Sequence, residues 1–68
     1  MTMRTTFIEI ETNGTWNRFE IDFGYDSVGS ERYAKSLIAG GENVRIVTRS
    51  PLGNVRIIDA VEINKLIS

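Results

Sequence analysis

Neither cysteine nor histidine occurs in the 68 residues. Their absence removes disulfides, zinc sites of the usual Cys/His kind and any catalytic arrangement that needs an imidazole base. An excess of one charge is lacking too. Eight Lys and Arg stand against nine Asp and Glu, a formal charge of −1, which argues against a bulk polyanion binder whose whole surface is basic. No stretch approaches the roughly 20 apolar residues a membrane span needs, and no apolar run of signal-peptide length follows Met1–Thr6. The expected location is therefore the cytoplasm. Proline occurs once, and no linker, low-complexity tract or repeat interrupts the chain, so one small domain is expected over 1–68.

A domain near this length buries only about 60% of the surface its unfolded chain exposes, which leaves a thin core. With disulfides and zinc excluded, oligomerisation is the remaining source of added stability.

What is present is a clear alternation. Thr6–Glu11 and Trp16–Phe23 alternate apolar and polar residues around Thr12-Asn13-Gly14-Thr15, and Asn-Gly between such runs is the strongest short hairpin signal. Closing Thr12 on Thr15 places Ile10 opposite Asn17, Ile8 opposite Phe19 and Thr6 opposite Ile21 on one face. The other face then carries Glu11 with Trp16, Glu9 with Arg18 and Phe7 with Glu20, and the Glu9–Arg18 juxtaposition is a favourable cross-strand pair.

Ser27–Ala39 has the helical period. Asp26 or Ser27 caps it, Tyr33, Ala34, Leu37 and Ile38 form its buried stripe with Val28 as an extension, and Gly40-Gly41 stops it. Glu31, Arg32 and Lys35 take the wet side. Gly29 inside the first turn costs about 1 kcal/mol relative to alanine.

A second β-rich pair, Asn43–Arg49 and Asn54–Asp59, surrounds Ser50-Pro51-Leu52-Gly53, a type I turn with a glycine bulge. Closing Ser50 on Asn54 sets Ile46 opposite Ile58 and Val44 opposite Ala60. On the other face lie Val47 with Ile57, Arg49 with Val55 and Arg45 with Asp59. At the end, Asp59 and Glu62 have capping spacing while Ala60, Ile63, Leu66 and Ile67 recur at helical spacing, which favours a short helix over a continuing strand. The fold class is α+β, in the order ββαββ: two hairpins in a four-stranded, mainly antiparallel sheet with one helix on one face.

The face turned away from that helix carries Phe7, Trp16, Arg18, Arg45, Val47, Arg49, Val55 and Ile57. So much apolar surface is not left wet on a small domain. It is either a partner or self-association surface, rich in the Trp and Arg that anchor interfaces, or an internal core covered by the C-terminal segment through Ile63, Leu66 and Ile67. The arginines with Trp16 and Phe7 also admit nucleic acid, by phosphate contact and base stacking.

Other motifs reduce to structure. Asp22-Phe23-Gly24 matches the kinase metal-binding triplet without a glycine-rich loop or catalytic loop beside it. Asn13-Gly14-Thr15 matches a glycosylation sequon but is better read as the hairpin turn. Asp22 and Asp26 flank a glycine as turn and cap residues. Serines 27, 30, 36, 50 and 68 lack a histidine base, Lys35 and Lys65 lie on wet surfaces, and a domain this small scarcely encloses the roughly 300 Å³ from which small-molecule sites begin. No catalytic residue, metal or cofactor is expected.

The order of hairpin, capped helix, double-glycine stop and Val44-Arg45-Ile46-Val47 strand, from Phe7 to Ile58, resembles small accessory proteins encoded by bacteriophages, including inhibitors of host enzymes and defence systems. The resemblance implies inhibition by occlusion of one protein's working surface, in the host cytoplasm, and carries over no site residue. Trp16–Leu37 is also similar to the sheet and helix of integrase arm-binding domains, which implies DNA reading by the sheet; the second hairpin lies outside that pattern. The leading expectation is a non-enzymatic protein-binding module, with a homodimer as one form of it, acting through the sheet face or an edge strand. The alternatives are a nucleic-acid-binding module using Arg18, Arg45 and Arg49, and a structural or assembly subunit.

Overall fold

Alternation and turn chemistry set the chain path in the computed structural model, which describes residues 4–66. The elements are β1 (Thr5–Thr12), β2 (Thr15–Asp22), α1 (Ser27–Ala39), β3 (Val44–Arg49), β4 (Val55–Ile58) and α2 (Ala60–Leu66). The strands form one open antiparallel sheet in the order β2-β1-β3-β4, which confirms the expected α+β class. The expectations for residues 1–3, Ile67 and Ser68 lie outside the described residues.

The first hairpin turns where expected, with Asn13 (φ 53°) and Gly14 (φ 81°) both left-handed. Thr12 pairs with Thr15, Glu11 with Trp16, Ile10 with Asn17 and Glu9 with Arg18. Beyond that the expected register fails. Phe7 pairs with Asp22 rather than Glu20, so two extra residues enter β2, and Ile8 and Thr6 do not oppose Phe19 and Ile21. The cause is packing: Phe19 and Phe23 both lean on Tyr33, with ring centroids 5.2 and 6.0 Å away, and the irregularity turns Ile21 outward.

The second hairpin pairs Ile46 with Ile58, Val47 with Ile57 and Arg49 with Val55, as expected. The Ser50 amide donates to the Asn54 carbonyl at 2.8 Å and the Gly53 amide to the Ser50 carbonyl at 2.9 Å. β4 ends at Ile58, so Val44–Ala60 and Arg45–Asp59 are not formed. Asp59 instead caps α2, accepting from the Glu62 amide at 2.9 Å.

The helix-facing side of the sheet holds the core: Ile8, Val44 and Ile46 pack with Ala34 of α1 and Ile63 of α2. Both helices therefore lie on one face, and among the described residues the C-terminal segment, as far as Leu66, does not cover the other. On α1 the buried stripe is Ser30 and Ala34, with Leu37 and Ile38 beside the core. Val28 is exposed, contrary to expectation, and Tyr33 is partly exposed, because its ring sits at the sheet margin over Phe19 and Phe23. Glu31 and Lys35 are half-buried rather than wet. The helix ends with left-handed Gly41 (φ 94°), the Gly41 and Glu42 amides donating to the Ile38 and Leu37 carbonyls.

Gly29 has a local reason to be glycine. Its amide donates to Asp26 Oδ1 at 2.9 Å, and a Cβ there would stand 2.7 Å from Asp26 Cγ. Gly29→Ala should thus lose the cap while gaining about 1 kcal/mol of propensity, for a net effect near zero. Asp26→Ala alone should cost about 0.5–2 kcal/mol. In a urea-denaturation double-mutant cycle, Asp26→Ala should cost little once Gly29 is alanine; equal costs in both backgrounds would refute the linkage.

Candidate functional site

The antiparallel registers stack the outward residues in rows. Glu11 and Trp16 form the first, and Arg18, Glu9 and Arg45 the second, with Glu9 on the middle strand between two arginines. Phe7, Val47 and Ile57 form the third, and Thr5, Arg49 and Val55 the fourth. All eight candidate residues thus share one face, but they divide into two groups with different surroundings.

The first group is closed. Arg45 Nε donates to Glu9 Oε1 at 2.7 Å, and its guanidinium lies 4.1 Å from the Trp16 ring centroid. Arg18 lies over Phe7 at 4.2 Å. Diagonal neighbours on adjacent strands are within reach of such long side chains, and the arginine stems and planar heads shield apolar surface while keeping charge near water. Phe7 and Val47 are accordingly only 8% and 5% exposed. The ion pair of Glu9 is therefore with Arg45, not Arg18, although Arg18 lies opposite in register, because Arg18 swings to the neighbouring phenyl ring.

Arg45→Ala should uncover Trp16, the chain's single tryptophan. A red-shifted emission with a stability loss of about 0.5–2 kcal/mol is expected, against unchanged emission for Arg49→Ala.

The second group is open. Val55 and Ile57 are 54% and 53% exposed on β4, an outer strand of the sheet. Arg49 faces Val55 across the ladder. The Arg49 and Arg56 side chains make no hydrogen bond or ion pair among the described residues. The Ser50–Asn54 hydrogen bond fixes the ladder's phase. Residues of an antiparallel pair alternate between bonded and non-bonded sites, so Thr48–Arg56 and Ile46–Ile58 are the bonded pairs. Val55 and Ile57 consequently turn their N–H and C=O groups to the free edge.

One feature of the opposite face escaped sequence reasoning. The apolar row Ile8–Ile46–Ile58 is followed by Thr6–Thr48–Arg56, a polar row under the helices. It borders a cavity of about 240 Å³ closed by the first turn of α1 and by Leu66. The signal was available, since the registers assign Thr6, Thr48 and Arg56 to the face of Ile8 and Ile46. A second concavity of about 360 Å³, more open than the first, runs along β2 beside Phe19, Ile21 and Tyr33. Among the described residues no group of three or more acidic side chains converges to hold a metal, and no helix is long and apolar enough to cross a membrane.

Comparison with protein-family models, with curated proteins and with solved structures found no match to this chain.

Proposed function

We propose that the chain is a non-enzymatic protein-binding module that takes an extended, acidic segment of its partner along β4. The observation that carries this is the coincidence of free backbone groups and exposed side chains at Val55 and Ile57. Strand addition uses main-chain hydrogen bonds for affinity and alternate side chains for specificity, and this edge supplies both. Arg49 and Arg56 supply the charge preference, because an acidic strand complements them whereas β4 of a second copy would bring like charges together. The resemblance to phage accessory proteins extends the proposal: a module seated on one strand of a host protein occludes the surface around it. Against nucleic acid stands the stacking of Arg18 and Arg45 on rings, which leaves few arginines for phosphates.

The test uses capture from host lysate by wild-type chain and by Ile57→Pro. Proline there removes an edge donor that β3 does not use. The expected result is a partner retained by wild type and by Leu52→Ser at the turn, and weakened at least ~10-fold by Ile57→Pro, with a monomer in light scattering. Equal retention by Ile57→Pro would sink the edge assignment. Duplex DNA bound tightly, with steep weakening by salt, would replace the protein partner; a dimer abolished by Ile57→Pro would replace it with a second copy.

A further inference from the structure

The sheet face under the helices should be uniformly apolar in so small a domain, yet one end of it is polar. Thr6, Thr48 and Arg56 continue the face of the Ile8–Ile46–Ile58 row. Arg4 enters from the start of β1, and Ser27 and Glu31 of α1 close the space from above. The result is a cavity of about 240 Å³ whose charged lining residues are Arg4, Arg56 and Glu31.

Some of this polarity is internally satisfied. Thr6 Oγ1 donates to the Gly24 carbonyl at 2.6 Å, and Ser30 Oγ to the Ser27 carbonyl at 2.8 Å. The arginines are not. Arg4 is positioned by its own amide, which donates to the Tyr25 hydroxyl at 3.4 Å, and by its guanidinium, 6.0 Å from the Tyr25 ring centroid. Its Nε is shielded from solvent and has no hydrogen-bond partner. Arg56 makes no side-chain hydrogen bond or ion pair among the described residues, and neither arginine is within ion-pair distance of Glu31. A buried cationic N–H without an acceptor is costly and rare in native proteins, and guanidinium N–H groups can only donate. The missing element is an acceptor.

We propose that this cavity binds a small monoanionic carboxylate, held by Arg4 and Arg56 with the Thr48 and Ser27 hydroxyls at hand. Two positive groups against one negative leave a surplus of a single charge, which suits a monoanion better than a dianion. The volume admits a molecule of a few heavy atoms. The site lies on the opposite face of the sheet from Val55 and Ile57 and shares only Arg56 with the proposed partner edge, so acetate binding and partner capture can fail separately.

The experiment is an amide and arginine Nε NMR titration of the full chain with sodium acetate, exchanged against sodium chloride at constant ionic strength. Saturable shifts are expected at Thr6, Thr48, Arg56, Arg4 Nε and the first turn of α1. Arg4→Gln and Arg56→Gln should each weaken binding about tenfold or more, as loss of a charged hydrogen bond implies. Glu31→Gln should tighten it, a change that a purely structural role for these residues does not produce. Because Arg56 is exposed, Arg56→Gln and Glu31→Gln keep the test decisive if Arg4→Gln folds poorly. Linear shifts scattered over the basic surface, or equal affinity in Arg56→Gln and wild type, would overturn the proposal. Tighter binding of inorganic phosphate than of acetate would overturn the assignment to a carboxylate.

Discussion

Replacing Phe7 by alanine is expected to cost about 3–5 kcal/mol of folding stability, the usual loss for a buried phenyl ring. The chain's whole stability, at about 0.05–0.15 kcal/mol per residue, is on the order of 3–10 kcal/mol. The variant should therefore be substantially unfolded or shifted to much lower urea midpoints, by circular dichroism and by Trp16 emission. Phe7 stands on the face without helices, where a bare sheet surface would make its truncation mild. Its burial comes from the Arg18 guanidinium above it and from its place beside Val47 at the sheet's centre. Ile57→Ala, in the same row but at the half-exposed edge, should cost about 1 kcal/mol or less. Equal losses for the two would show that the arginines do not seal this face. The comparison also separates the candidate residues into those that hold the sheet together and those free to meet a partner.

The second large effect is expected at Ile63. It is fully buried, and its side chain completes the cluster of Ile8, Ala34, Val44 and Ile46. Ile63→Ala should cost about 2–5 kcal/mol, while Val61→Ala, exposed on the same short helix, should stay within about 0.5 kcal/mol. A seven-residue helix has little stability of its own, so α2 persists only because Ile63 anchors it under the control of the Asp59 cap. If Ile63→Ala and Val61→Ala unfold at the same urea concentration, α2 is not part of the core. Backbone amide exchange offers a second readout, since loss of the anchor should release α2 before the sheet melts.

Local chemistry made much of this fold legible from the residues. Asn13-Gly14 dictated the first turn and hence the Glu9–Arg18 register; Ser50 and Gly53 did the same for the second hairpin; Asp26 and Gly41 bounded α1. What failed depended on choices between partners far apart in the chain. The alternation Arg18-Phe19-Glu20-Ile21-Asp22-Phe23 shows no break, and the one that occurs goes with the packing of both phenyl rings on Tyr33 and the bonding of Asp22 and Phe23 to Thr6. Glu9 had one visible arginine across the hairpin, but strand order set Arg45 on its other side, and the shorter contact won. Asp59 had two roles open to it, strand partner and helix cap, and the amide of Glu62 took it. For the candidate site, parity alone put the eight residues on one face. It did not divide the roofed centre from the open edge, because that division needs the order β2-β1-β3-β4. The polar row of Thr6, Thr48 and Arg56 follows from the same registers, but that it borders a cavity depends on where α1 and Leu66 pack.

The irregularity in β2 has a bearing on assembly. β2 and β4 are the two outer strands, and if both were regular, β4 of one molecule could pair with β2 of the next. Such a head-to-tail contact does not close on itself and repeats as a filament. The two extra residues between Arg18 and Asp22 disturb the even spacing of edge groups that the incoming strand would need. If a strand adds at β4 as proposed, the sheet ends there, because regular pairing at the far edge is disturbed.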